Sequence, residues 1–513
     1  MHQDQRVYQP GGSSPDLPHT VFLPDWLRRE EPQAAESVGV SLHRLMQRAG
    51  DAAFRIARRQ YPAARHWLIL CGHGNNGGDG YVVAALARAA GITVTVIAAS
   101  SERPLPPQAH LARQAWRDTN GSEQPGDAPW PDGVDLIIDG LLGTGLTSAP
   151  RAPYDALIVQ ANRHPAPIVA LDIPSGLNAQ TGVYAGAVIH AAHTVTFIAL
   201  KPGLLTGQAR DVVGRLHFHD LGLSDWLAQQ TAPITRLSAA SLTQWLKPRR
   251  PGAHKGEHGR LLIIGGDDGT GGAVFMAGEA ALRSGAGLVR VLTHKNYLAA
   301  LLVSRPELMA QELTTDTVKA GIAWADVVVI GPGLGQREWG KNALRIVENC
   351  NKSMLWDADA LNLLAISPYK RQNRVLTPHP GEAARLLNCR VADVESDRLL
   401  AVQRLVKRYG GVVVLKGAGT VLASEQGALS IADVGNPGMA TGGMGDVLAG
   451  MIGAMLAQGL SLYDAACAGC VAHGAAADWL AQRQGTRGML ATDLMAVLPQ
   501  YVNPERISLE NTE

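Results

Sequence analysis

The chain has 513 residues, 46% of them apolar and 18% charged, so it can bury a large core and is not a disordered polymer. Forty-six basic residues against 45 acidic ones leave a net charge of +1, which removes the electrostatic footprint that a nucleic acid or an anionic membrane would need. Glycine is abundant, with 57 residues and no Gly-X-Y period, which points to tight loops and close backbone approaches.

In chain order, residues 1–18 are polar and rich in Pro and Gly; they predict a flexible extension with no signal peptide. A first domain is expected over 19–227. Residues 66–71 (HWLILC) form a buried strand that runs into GHGNNGGDG, followed by a helix over 81–90 and a strand over 92–98. Residues 101–133, rich in Pro, Gly and polar side chains, predict a surface excursion. Strands follow at 134–139, ending in GLLGTGL, at 168–172, ending in IPSG, and at 194–199. Residues 228–240 predict a linker. The second domain, 241–508, repeats the grammar: a strand at 260–264 ends in GGDDGTGG and a helix through 281. Further strands fall at 287–293, 326–330, 354–356, 375–377 and 412–415, before helices over 443–458 and 463–482. Near-continuous apolar strands alternating with helices indicate two doubly wound α/β domains with parallel sheets covered on both faces.

Five cysteines, an odd number scattered over a large chain, suit a reducing compartment, and the expectation is a cytoplasmic protein. Cys467-x-x-Cys470 with His473 sits among alanines and glycines, which predicts a buried small-residue helix rather than a zinc or redox site. The apolar run 447–463 is too short and too interrupted, by Gln458 and Ser461, to span a bilayer.

In open parallel sheets ligands bind beyond the carboxyl ends of the strands, and every conspicuous motif here follows a strand. In GHGNNGGDG the glycines let backbone N–H groups converge on an anion at a helix N-terminus, while the two Asn amides offer both donors and carbonyls. Asp139, Asp172, Ser175 and Asn76 are expected to meet around one point, and oxygen-only ligands suit a hard or monovalent cation. Lys201 is either a source of positive charge there or a surface lysine. In the second domain GGMGD opens a helix: its backbone makes an anion hole for phosphoryl transfer, with Asp446 standing to take a proton from a substrate hydroxyl. Lys416-Gly-Ala-Gly-Thr420 sets a cation and free N–H groups against a nucleotide phosphate. GPGLG (331–335) and TPHPGE (377–382), with His379 held between prolines, are further strand-end loops. The HKGEHG turn (254–259) is either a phosphate contact or a plain domain entry.

With these residues in view, the chain resembles the bacterial bifunctional NAD(P)H-hydrate repair enzymes. GHGNNGGDG, DGLLGTGL and DIPSG resemble the epimerase domain of that family. HKGEHGR, GPGLG, DADALN, TPHPGE, KGAGT and NPGMATGGMGDVLAG resemble its ADP-dependent dehydratase. The motifs appear in order over roughly residues 20 to 505, with no substituted position. The resemblance implies an N-terminal Rossmann-like three-layer domain and a C-terminal ribokinase-like domain. It implies that NADHX and NADPHX, hydrated at C6 of the reduced nicotinamide ring, are interconverted between R and S epimers. The S form is then dehydrated with ADP, releasing AMP and phosphate. It places potassium on Asn76, Asp139 and Ser175, and magnesium with the nucleotide. It puts epimerase substrate on Asn75, Asn76, Gly77, Gly78 and Asp79, on Gly143, Thr144, Gly145, Leu146, Thr147, Ser148 and Ala149, and on Tyr154 and Asp172. Dehydratase substrate falls to Ala273, Gly333, Gly335, His379 and Asp446, and the adenine nucleotide to Lys416, Gly417, Ala418, Gly419, Thr420 and Gly445.

Asp446 is then the expected base of dehydration, and Asp172, with Lys201 as partner, the proton carrier of epimerisation. Inversion by ring opening and inversion by water loss and re-addition both remain open. The partners expected are small molecules and a second copy of the chain, with no nucleic acid or membrane. Two rivals stand beside this reading: a small-molecule kinase of the ribokinase-like class, which would accumulate a phosphorylated product, and a first domain that only senses dinucleotides.

Overall fold

The computed structural model describes residues 17–99 and 104–504. Most of the expected N-terminal extension, residues 1–16, and the end of the second expected domain, 505–508, lie outside the described residues. The chain divides into two compact units between Thr235 and Arg236.

The first unit is a parallel sheet of β1 (His66–Cys71), β2 (Thr93–Ala98), β3 (Glu123–Pro125), β4 (Leu136–Gly140), β5 (Ile168–Leu171), β6 (His193–Phe197) and β7 (Arg215–His219). The strand order is β3-β2-β1-β4-β5-β6-β7, so the chain reverses direction across the sheet between β1 and β4. That is the Rossmann-like topology, whose switch point is where ligands bind. The β1 side chains alternate. Trp67, Ile69 and Cys71 pack with α2 (Leu42–Gln60), α3 (Asn75–Ala89) and α4 (Pro107–Asp118), whereas Leu68 and Leu70 pack with Leu157, Ile158 and Ala161 of α5 (Tyr154–Arg163). A further helix, α1 (Pro24–Ser37), precedes them.

Two expectations need correction. Helix α3 begins at Asn75, not at residue 81, so NNGGDG is its first two turns rather than a loop. The glycines there serve packing: a Cβ on Gly77 would lie 2.0 Å from the Gly72 carbonyl oxygen, and one on Gly78 2.6 Å from the Met46 thioether. The expected surface excursion also carries structure, because Ala109, Ala112 and Trp116 of α4 are buried and β3 pairs with β2. Its polar loops mask a short apolar stripe.

In the second unit the sheet runs in the order β10-β9-β8-β11-β12-β13-β14-β15-β16. These strands are β8 (Arg260–Ile264), β9 (Leu288–Thr293), β10 (Met309–Glu312), β11 (Val327–Ile330), β12 (Ser353–Trp356), β13 (Arg374–Leu376), β14 (Val412–Leu415), β15 (Thr420–Ser424) and β16 (Leu429–Ala432). Pairing is parallel from β10 to β14 and antiparallel onward to β16. The direction switches between β8 and β11. Among its helices are α6 (Gly271–Arg283), α7 (Pro380–Leu387), α8 (Arg398–Tyr409), α9 (Met444–Ala457) and α10 (Leu462–Gln484). Helix α9 is apolar almost all round, as a helix buried on every side must be. It touches α6 so closely that a Cβ on Gly450 would meet the Ala277 carbonyl oxygen at 2.0 Å. Cys467, Cys470 and His473 are buried in α10, as expected of a core helix. Among the described residues no helix is long and apolar enough to cross a membrane.

Candidate functional site

In the first unit, the loops after β1, β4, β5 and β6 surround a cavity of about 470 Å³. Its wall includes Asn75, Asn76 and Asp79 at the start of α3, the Gly143–Thr144–Gly145–Leu146 stretch, and Tyr154, Asp172 and Lys201. The first turn of α3 therefore opens on the cavity with N–H groups that have no partner within the helix, an arrangement suited to an anion. Gly77 and Gly78 are buried in the helix behind that wall, and Thr147 and Ser148 are exposed beyond it, as is Ala149 in part.

Asp139, fully buried near the end of β4, accepts from the Leu141 and Ser175 N–H groups at 3.2 and 2.8 Å and from the Ser175 hydroxyl at 2.6 Å. Burial nonetheless pushes its pKa up to about 6. The Asn76 Nδ2 donates to the Leu142 carbonyl at 3.2 Å, while its Oδ1 is buried with no hydrogen-bond partner. A carboxylate, a hydroxyl and an orphaned amide oxygen make an oxygen-only donor set that fits a monovalent cation. Among the described residues there is no group of three His, Cys, Asp or Glu that could hold a metal ion.

Asp172 does not join that cluster, which corrects the expected four-residue meeting point. It sits at a left-handed φ of 62° just after β5, and its Oδ1 accepts from the Thr196 hydroxyl at 3.1 Å and the Phe197 N–H at 3.2 Å. Its ion pair is with Lys201. Lys201 is no surface residue: it is 3% exposed and also donates to Thr196 Oγ1 and the Phe197 carbonyl, at 3.0 and 2.8 Å. Neither Asp139 nor Asp172 caps a helix.

In the second unit the loops after β11, β12, β13 and β14 and the start of α9 converge. Lys416 donates to Asp357 at 2.9 Å and lies 3.9 Å from Glu382. Burial opposes its charge, but Asp357 and Glu382 outweigh that and raise its pKa. Asp446 stands in the first turn of α9, whose N-cap Gly443 takes a φ of 90°. Burial first, then the nearby Asp357, pushes its pKa up to about 7, with Lys416 acting against them. A Cβ on Gly445 would lie 3.3 Å from Lys416 Nζ and 3.6 Å from an Asp357 oxygen, so the helix mouth and the lysine face each other. His379 is half exposed at the N-cap of α7, where its N–H donates to Glu382 at 2.8 Å and its Nδ1 accepts from Gly381 at 3.0 Å. The GPGLG loop passes against Asp357, whose carbonyl oxygen a Cβ on Gly331 would meet at 1.8 Å; Gly333 accepts from the Thr270 hydroxyl at 2.8 Å, and the Gly335 N–H donates to Asp359 at 2.8 Å. Ala273, half-buried, follows Thr270 by three residues on α6. Gly417 and Ala418 are exposed, Gly419 is buried, and the Arg398 guanidinium beneath them donates to the Leu415 and Lys416 carbonyls, both at 3.0 Å.

The HKGEHG turn lies at the opposite end of β8. His254–Glu257 are exposed, and Gly287 and Leu288 donate to the His258 and Gly259 carbonyls where β8 and β9 begin. It is a domain entry, not a strand-end phosphate loop. Sequence reasoning quoted Asp357 and Glu382 within DADALN and TPHPGE but gave neither a role, although an acid directly after a buried apolar strand (SMLW-Asp357) is itself a signal. It also missed Glu31, whose helix presents Pro24, Leu27, Arg28 and Glu31 to the cavity at the i, i+3, i+4, i+7 spacing of one face.

Residues 261–500 match the family model described as NAD(P)H-hydrate dehydratase, and residues 42–203 match YjeF-related protein N-terminus. The bifunctional NAD(P)H-hydrate repair enzyme Nnr of Escherichia coli (strain K12) is 66% identical over 489 residues, spanning 95% of this chain and 95% of its own. The bifunctional NAD(P)H-hydrate repair enzyme of Leishmania braziliensis is 46% identical over 524 residues, spanning 94% and 93%. A ribokinase-like superfamily protein from Enterococcus faecalis V583 is similar in structure, with a TM-score of 0.50 and 30% identity over 54% of this chain and 97% of its own.

Proposed function

The chain belongs to the bifunctional NAD(P)H-hydrate repair enzymes, an epimerase joined to an ADP-dependent dehydratase, and from that premise we propose how its residues divide the work. In the first unit the cavity takes R- or S-NAD(P)HX. The N–H groups at the start of α3 and the Gly143–Leu146 backbone bind its phosphates, Tyr154 borders the pocket, and Asp172 moves the proton at C6 or its hydroxyl. Lys201 keeps Asp172 aimed. Asn76 Oδ1, Asp139 and the Ser175 hydroxyl hold a potassium ion, which supplies a fixed positive field that orders the loops around the anionic substrate. The support for that site is the orphaned Asn76 oxygen beside a buried carboxylate.

In the second unit Asp446 takes the proton of the C6 hydroxyl, and the oxygen attacks the β-phosphorus of ADP, releasing AMP. The N–H groups of residues 442–445 stabilise the charge on the transferring phosphoryl. The ring nitrogen lone pair then expels phosphate from C6, and loss of a proton from C5 restores the double bond of NAD(P)H. His379, Ala273, Gly333 and Gly335 border the dinucleotide. Lys416–Thr420 and Gly445 border the adenine nucleotide, whose own phosphates supply most ligands of any magnesium ion bound with it. The reaction belongs in the cytoplasm, and the working form is a homo-oligomer, measurable by light scattering.

The observation that carries this reading is the placing of Asp446: a carboxyl in the first turn of a buried helix whose mouth faces a lysine held by other carboxylates. Incubation with an R/S NADHX mixture and ADP should restore all absorbance at 340 nm with stoichiometric phosphate. A phosphorylated product in place of NADH would make the second unit a kinase.

A further inference from the structure

Three carboxyl groups line the first unit's cavity, Glu31, Asp79 and Asp172, and they share it with two cations, Lys201 and Arg28; Tyr154 is the remaining titratable group of the wall. The cations are committed. Lys201 is ion-paired with Asp172, and Arg28, more than half exposed, pairs with Asp25 at 3.0 Å. Helix α2 offers the cavity only Leu42, Leu45, Met46 and Ala49. Asp172 also accepts from the Thr196 hydroxyl and the Phe197 N–H, so its Oδ1 is held in place. Glu31 is the opposite case: it receives no hydrogen bond or ion pair among the described residues, and it faces the cavity from the apolar side.

We propose that Glu31 is the second catalytic residue of epimerisation, the acid that works against the Asp172 base. This rests on the reading of the cavity as the epimerase site. Burial, followed by the charge of Asp172, raises the Glu31 pKa, with Lys201 acting against them, a direction that favours the acid form. Inversion then balances. The Glu31 carboxyl gives its proton to the C6 hydroxyl oxygen, the C6–O pair leaves with that oxygen as water, and the ring nitrogen lone pair forms a C6=N1 bond. Water adds to the other face of C6, its oxygen pair making the new bond and its proton passing to Asp172. The reverse epimerisation runs with the two roles exchanged, and solvent resets the protons between turnovers. One carboxyl that gives a proton and one that takes it leave the reaction with no net proton change.

The test uses the full chain and separated R- and S-NADHX. Glu31→Gln keeps the shape and removes the transferable proton. It is expected to lower kcat for epimerisation about 100-fold with KM nearly unchanged, and Glu31→Asp to recover part of it. Wild-type epimerisation should fall at alkaline pH as Glu31 loses its proton, and that limb should vanish in Glu31→Gln. Dehydration of S-NADHX by the same variant reports on the second unit, and protection by NADHX against thermal unfolding reports that the first unit's cavity has formed. Glu31→Gln with kcat within twofold of wild type and an unaltered pH profile would overturn the proposal. Loss of NADHX protection together with activity would overturn it in favour of a structural role. A wild-type chain that does not epimerise at all would remove the underlying reading instead.

Discussion

The two units place glycine-rich loops at the same topological position, beside the strand where sheet order reverses, yet they pair their site lysine differently. In the first, Lys201 is locked to Asp172, the carboxylate assigned to chemistry. In the second, Lys416 is held by Asp357 and approached by Glu382, and Asp446 is left with its pKa at about 7. A lysine bound to the reacting carboxylate keeps it oriented. A lysine bound to bystander carboxylates instead stands ready for phosphate, while burial makes the free carboxylate a base that responds near neutral pH. One fold grammar thus supports reversible inversion in one place and phosphoryl transfer in the other, and the difference lies in which partner each lysine has.

Breaking the second arrangement gives the largest expected effect. Asp446→Asn should lower dehydration by about 10³-fold, with ADP binding retained in a calorimetric titration and epimerisation untouched. The first arrangement breaks differently. Asp139→Ala strips three donors of their buried acceptor, so it should cost the first unit about 3 kcal/mol or more and abolish epimerisation. Thermal unfolding followed by activity should show the dehydratase surviving.

The lysine comparison sharpens through pH. Because the Asp446 pKa is raised, its active anion is lost as pH falls through about 7, and dehydration should show an acid limb there. Asp357→Asn removes a like charge and loosens Lys416, and both changes favour the Asp446 anion, so the limb should move to lower pH. A limb that stays or rises would mean that another group titrates. The smallest effect belongs to the exposed domain-entry turn, where His254→Ala should change kcat/KM of dehydration less than twofold.

Much of this was legible in the chain because parallel strands buried on both faces leave runs such as VVVI and VVVL that nothing else explains, and because loops after strands collect the polar motifs. Helix boundaries were less legible. The α3 glycines look like loop formers, but their role is to let a helix lie against the Gly72 carbonyl and Met46, a tertiary demand with no local signature. Asp172 and Lys201 were both singled out, yet their pairing is a tertiary contact across 29 residues that no local pattern signals. Glu31 escaped because no element was expected over its helix, whose pattern Pro24 and Pro32 punctuate, and only the fold shows that its stripe ends in a cavity.

The division of labour between two separate sites is tested most directly by mixing variants. Asp172→Asn alone should recover absorbance at 340 nm only for the S fraction of an NADHX mixture supplied with ADP, and Asp446→Asn alone should recover none. The two proteins together should recover all of it, each supplying the step the other lacks. If the mixture recovers no more than Asp172→Asn alone, or if Asp446→Asn restores NADH by itself, the assignment of the two reactions to these carboxylates is contradicted.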